Sequence, residues 1–230
     1  MATDTLPETA APPIAGERRL LIPRISWDAY IALGDELERQ GNRSVRLTYD
    51  RGSLEIMTTG RPHEWYKKML GNLVVTLACE RNIEVSSGGQ MTFLREDLDR
   101  GLEPDECWWI AHEPEMRTRD DYDPYNDPPP DLALEIEISN PLLDKLGIYA
   151  ELGVPEIWRF DGRALTFWGR QGDESYRQVE NSVAFSVLRP EHLLPYLRID
   201  DEVGETSRLR RFAEWLREVK FEDGGSKIED

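Results

Sequence analysis

The chain has 230 residues, 39% of them hydrophobic, with 7 Trp and 8 Tyr. That suffices for one domain with elaborations and is too aromatic for a disordered chain. No run approaches the ~18 consecutive apolar residues of a membrane span, and two cysteines, Cys79 and Cys107, are too few for a disulfide framework. The net charge of -17 weighs against a broadly cationic nucleic-acid binder. The excess is local, because residues 96–137 carry 15 acidic side chains against 3 basic ones.

Residues 1–24 read as a loose arm, rich in Ala, Pro and Thr at its start and without the charged-then-apolar pattern of a signal peptide. A cytoplasmic protein is therefore expected. Residues 26–40 follow as a first helix: Ser26 caps it, Trp27, Tyr30, Ile31 and Leu37 form an apolar stripe, and Gly41-Asn42 ends it. Strands are predicted over 45–49 and 54–57, joined by a hairpin turn at Asp50-Arg51-Gly52-Ser53. Pro62 opens a long helix to Arg81, with Trp65, Met69, Leu73, Val74 and Leu77 at helical spacing. Strands over 83–87, 91–95 and 107–110 come next. Gly88-Gly89 is read as a turn with no phosphate-loop pattern.

Residues 120–130 hold four prolines and four aspartates without periodicity, as a loop would. Residues 131–138 then alternate strictly. Leu132, Leu134, Ile136 and Ile138 point one way, and Asp131, Ala133, Glu135 and Glu137 the other. A helix over 141–152 ends at Gly153, and strands are predicted over 156–160, 165–169 and 176–179. Residues 208–219 form a polar helix with Phe212, Trp215 and Leu216 on one side, before a frayed end. The expected organisation is an arm over 1–24, one domain over 25–200, and a C-terminal helix and tail over 201–230. The fold class is α/β, of an α+β-like kind: a mixed sheet flanked by helices, with an N-terminal helix and hairpin and a C-terminal helix.

The carboxylates of the alternating strand carry the chemistry. Glu135 and Glu137 are about 7 Å apart along a strand, near enough to raise each other's pKa unless a cation lies between them. The bland alternative is a wet strand face. Pro104-Asp105 leads into Cys107-Trp108-Trp109-Ile110, and pairing of that segment beside residues 131–138 would deliver Asp105 next to Glu135. Two carboxylates and the backbone carbonyl of Ile136 suit a hard cation such as Mg²⁺, which polarises phosphoryl oxygens and activates water. His112 and His192 are isolated and make no zinc spacing. Cys107 reads as inert core, and Trp108-Trp109 as one core ring and one outward ring suited to a dimer.

Gly101-Leu102-Glu103-Pro104-Asp105-Glu106, the run from Pro130 to Ser139, Lys145, Tyr149, and Gly153-Val154-Pro155-Glu156-Ile157-Trp158-Arg159 resemble, in that order, the Uma family of restriction-endonuclease-like proteins. His63-Glu64 at the head of the long helix fits as well, and the likeness runs from about Trp27 to Leu197. It implies a PD-(D/E)XK fold, Mg²⁺ or Mn²⁺ dependence and hydrolysis of DNA. Asp105 then matches the aspartate of the PD element and Glu135 the acidic member of (D/E)XK. Glu137 stands where that motif has lysine, which moves the basic role to Lys145 on the next helix. Glu64 matches an additional acidic residue.

Two functional readings follow. In one, the chain is a metal-dependent endonuclease that cuts DNA as a homodimer. Asp105, Glu135 and the Ile136 carbonyl hold the ion, and Glu137, Lys145 and Glu64 assist. Its DNA contacts, which would be salt-sensitive, come from Arg61, Lys67 and Lys68, from Arg117 and Arg119, and from Arg208, Arg210 and Arg211. In the other, the nuclease fold serves as a non-catalytic binding or assembly module. A weaker third reading is a metal-dependent phosphoesterase acting on small substrates.

Overall fold

Tyr30, Tyr49 and Trp27 set the first packing unit. The Tyr30 and Tyr49 rings stack at 4.9 Å, with Trp27 edge-on to both. They join helix α1 (Trp27–Arg39), capped as expected by Ser26, whose Oγ accepts from the Ala29 amide at 3.3 Å, to strand β2 (Val45–Asp50). In the computed structural model, which describes residues 17–42, 44–89, 91–199 and 202–219, β2 and β3 (Ser53–Thr58) form the predicted hairpin. Residues 18–23, assigned to the loose arm, instead form strand β1 (Arg18–Pro23), antiparallel to β3 along its whole length. Their Arg-Arg-Leu-Leu-Ile-Pro sequence shows no alternation, and Leu20 and Leu21, on opposite faces of this edge strand, are both exposed. The rest of the arm, residues 1–16, lies outside the described residues.

Helix α2 (Arg61–Arg81) follows, then short strands β4 (Ser86–Ser87), β5 (Phe93–Arg95) and β6 (Arg100–Leu102). The strand expected over 83–87 shrinks to two residues, and β6 was not foreseen. Strand β7 (Glu106–Trp109) and a single helical turn, α3 (Glu113–Met116), lead into the proline-rich loop. After it come β8 (Leu132–Ile136), α4 (Lys145–Leu152), β9 (Glu156–Phe160), β10 (Leu165–Arg170) and β11 (Tyr176–Val179). A turn of helix, α5 (Pro190–Leu193), and α6 (Glu205–Glu218) complete the order. Helix α4 begins four residues later than the predicted 141, and α6 three residues earlier than the predicted 208. Gly153 closes α4 at φ +80°, a left-handed position where a side chain would be strained.

The strands form two sheets rather than the single mixed sheet expected. One is antiparallel, in order β1-β3-β2-β6-β5. The other, in order β11-β10-β9-β8-β7-β4, is mixed through the parallel pair β8–β9. The α+β arrangement is that of a restriction-endonuclease-like domain. The alternation of residues 131–138 assigns the faces of β8 correctly. Leu132, Leu134 and Ile136 pack with Leu70, Leu73 and Leu77 of α2 and with Phe212 and Leu216 of α6. Ala133, on the other face, packs with Ile148 and Tyr149 of α4. Both faces are therefore covered, and the Glu135 side chain is 1% exposed: it is not a wet strand face. Trp108 and Trp109 are both buried, on opposite sides of the sheet. The expected outward ring is absent because α4 and the proline-rich loop cover that side, and Trp109 Nε1 donates to the Pro128 carbonyl at 2.9 Å.

Candidate active site

Asp105 immediately precedes β7. Its backbone N–H donates to the Leu134 carbonyl at 3.1 Å, and its Oδ2 accepts from the Ile136 amide at 2.7 Å. These two bonds lock it to the strand that carries Glu135, the juxtaposition anticipated from Pro104-Asp105. His63, near the start of α2, lies 3.2 Å from the same Oδ2 through Nε2. Burial by itself would raise the Asp105 pKa, but the charge of His63 beside it holds it below the ordinary carboxylate value. Burial likewise opposes protonation of His63, and Asp105 overcomes it, lifting the imidazole to about 9. Asp105 Oδ1 is buried with no hydrogen-bond partner.

Glu135 faces α4. Lys145, the first residue of that helix, donates through Nζ to Oε2 at 2.5 Å, and Tyr149, one turn on, donates its hydroxyl to Oε1 at 2.5 Å. The spacing of four places both donors on one helix face. Lys145 is thus brought to the strand as predicted. Tyr149 belongs to the family pattern without an assigned role there, and its i, i+4 step from Lys145 is the signal in the sequence that points to it. Burial pushes the Glu135 carboxyl upward, with the charges of Asp105 and Glu137 adding to it and Lys145 opposing it.

Glu137 sits on the same side as Glu135 but belongs to another pairing. Its Oε2 accepts from Arg159 of β9 through Nη2 at 2.6 Å and Nε at 2.9 Å, while its Oε1 is buried and without a hydrogen-bond partner. Glu64 lies 3.7 Å from His63 Nδ1 and 3.9 Å from Arg46 Nη2, with 37% of its side chain exposed. His63 stands between the two carboxylates, with Nδ1 toward Glu64 and Nε2 toward Asp105. Asp131, the third carboxylate of the strand face, is a backbone cap: Oδ2 accepts from the Ile110 amide at 2.6 Å and the His112 amide at 3.2 Å, and Oδ1 meets His112 Nδ1 at 2.9 Å.

Several of the proposed DNA-contacting cations are engaged or buried. Arg117 pairs with Glu113, Arg119 with Asp127, and Lys67 and Arg208 are buried. Arg61, Lys68, Arg210 and Arg211 are exposed. Lys67 lies one turn beyond His63. Burial lowers its pKa, against the charges of Glu64, Glu106 and Asp105. Arg46 and Glu103 also line a cavity of about 640 Å³ bounded by α1 and β2. Burial pushes the Glu103 carboxyl up to about 7. Cys107 is fully buried, and burial raises its thiol pKa, in keeping with inert core.

Among the described residues, no three His, Cys, Asp or Glu side chains group as a metal cage. The residues nevertheless suit a hard cation that keeps several waters, for which two carboxylates and a carbonyl suffice. The buried, unpartnered Oδ1 of Asp105 is an acceptor that such a cation would satisfy.

A mixed sheet that aligns an aspartate with a glutamate, beside a helix-borne lysine, defines the restriction-endonuclease-like class. A family model described as "Putative restriction endonuclease" matches residues 32–202, and the chain belongs to this family, Uma2. Its members are assigned to the nucleases at the level of the family. A search of curated proteins found no match. No helix among the described residues is long and apolar enough to cross a membrane.

Proposed function

We propose that the chain is a divalent-metal-dependent deoxyribonuclease that hydrolyses phosphodiester bonds at the Asp105–Glu135 centre. The observation that carries this reading is the lock between Asp105 Oδ2 and the Ile136 amide. It sets one carboxylate beside another, next to Lys145, with Asp105 Oδ1 left without a partner. Asp105, Glu135 and the Ile136 carbonyl would hold Mg²⁺ or Mn²⁺, which supplies Lewis-acid charge to a phosphodiester. Lys145 is the cation that faces charge developing on the phosphate. His63 orients Asp105, and Tyr149 orients Glu135. Glu137, engaged by Arg159, acts on this centre through its charge. The exposed Arg61 and Lys68 on α2 and Arg210 and Arg211 on α6 are the candidates for contacts to the DNA backbone, and binding should weaken as salt rises.

Purified protein incubated with supercoiled plasmid in Mg²⁺, Mn²⁺ or EDTA, beside Glu135→Ala, tests the reading. Metal-dependent nicking that the variant lacks is the expected result. Folded protein that never nicks would favour the second reading, a non-catalytic binding module. That reading draws support from Glu137, which replaces the usual lysine, and from Glu135, whose two oxygens already have donors. Light scattering at micromolar concentration checks the homodimer expected of an enzyme that cuts both strands.

A further inference from the structure

The connection from β8 to α4 joins Glu135 to Lys145, so its path decides whether the lysine meets the carboxylate. Asp144, at the N-cap of α4, makes no capping hydrogen bond through its side chain, and Arg100 of β6 donates to the Gly147 carbonyl in the first turn at 2.6 Å. The turn ahead of α4 is held from the other sheet. Glu55 of β3 is 1% exposed, and its Oε2 accepts from the Leu142 amide at 2.5 Å and the Leu143 amide at 3.0 Å. Its Oε1 accepts from Arg19 Nη1. Arg19 stands opposite Met57 and Leu21 opposite Glu55, so Arg19 and Glu55 are diagonal neighbours on one face of the β1–β3 pair. Arg19 also donates through Nε to Ser139 Oγ at 2.9 Å and through Nη2 to Glu17 at 2.7 Å, and Ser139 donates its hydroxyl to Glu17. Both ends of the turn from Ser139 to Leu143 are thereby held by β1 and β3.

We propose that Glu55, oriented by Arg19, is a positioning residue of the centre: it holds the turn before α4 and so sets Lys145 against Glu135. A buried carboxylate with two backbone amides and one guanidinium has its charge matched by donors, and the two amides are set by the turn. Arg19 lies ahead of residues 32–202, which match the family model, so the edge strand contributes to a centre that the matched residues carry. The role in cleavage rests on the nuclease reading above; the structural role does not.

The test uses the full chain with Glu55→Gln, Glu55→Ala and Arg19→Lys. Hydrogen exchange is followed by NMR at the Leu142 and Leu143 amides and across β8, β9 and β10, together with the side-chain nitrogen resonance of Lys145. Single-turnover plasmid nicking is measured beside DNA affinity. Glu55→Ala should speed exchange at Leu142 and Leu143 about tenfold or more, leave the three strands unchanged and shift the Lys145 resonance. It should slow single-turnover nicking with DNA affinity retained. Glu55→Gln, which keeps one carbonyl acceptor, and Arg19→Lys should fall between Glu55→Ala and the native chain, and they serve if Glu55→Ala does not fold. Unchanged exchange at the two amides, or faster exchange spread equally over β8, β9 and β10, overturns the proposal. If the native protein does not nick DNA, the nuclease reading fails, and exchange with the Lys145 resonance still decides this inference.

Discussion

Tyr149 and Lys145 divide the carboxylate of Glu135 between them, the hydroxyl on Oε1 and the ammonium on Oε2, each at 2.5 Å. One turn of α4 therefore satisfies both oxygens of a carboxylate that is almost wholly buried. Tyr149→Phe removes the hydroxyl with little change in shape and leaves Glu135 Oε1 without a donor. Unfolding in urea should show a loss of about 1–3 kcal/mol. A midpoint and slope equal to those of the native chain would mean that the bond contributes nothing.

Asp131 shares a strand face with Glu135, yet its oxygens are committed to the Ile110 and His112 amides. Asp131→Ala should cost about 1–3 kcal/mol through the exposed ends of those two bonds and leave Mn²⁺ affinity unchanged in titration calorimetry. In the same assay Asp105→Asn and Glu135→Ala should lose binding. Weaker Mn²⁺ binding in folded Asp131→Ala would return Asp131 to the centre.

Glu156 of β9 is fully buried and accepts from Trp158 Nε1 at 2.8 Å, Ser182 Oγ at 2.9 Å and the Ala184 amide at 2.8 Å. Burial nonetheless raises its pKa above the ordinary value of 4.5. The folded chain then keeps a proton that the unfolded chain releases, so this group's contribution is fully present below about pH 4.5 and declines as pH rises through the folded pKa. Glu156→Gln cannot ionise and escapes the decline, so its stability relative to the native chain should improve as pH rises above about 4.5. Parallel stability curves for the two proteins would contradict the shift.

Gly101 in β6 lies against Tyr30, and a Cβ there would come within 2.5 Å of the Tyr30 hydroxyl oxygen. The Tyr30 ring is packed against Tyr49 and Trp27 and has little room to retreat. Gly101→Ala should cost about 1–3 kcal/mol by overpacking, read as a lowered thermal midpoint. An unchanged midpoint would show that α1 shifts freely on the sheet.

The amino-acid sequence alone determined much of the frame. Strict alternation over residues 131–138 assigned the faces of β8, the Asp50–Ser53 turn placed the first hairpin, and Pro104-Asp105 marked the residue that lies beside Glu135. These signals are local: a period of two or a turn dipeptide states what an element does with its own backbone. Only the tertiary structure decided that β1 joins a sheet, that the polar face of β8 is buried beneath α4, and that His63 rather than Glu64 reaches Asp105. It likewise assigned Glu137 to Arg159, Asp131 to two backbone amides and Glu55 to the turn before α4. Those pairings join residues 19 to 88 positions apart in the chain. No sequence period records them, because hydrophobic spacing reports which side of an element is apolar and not which partner comes to meet the other side.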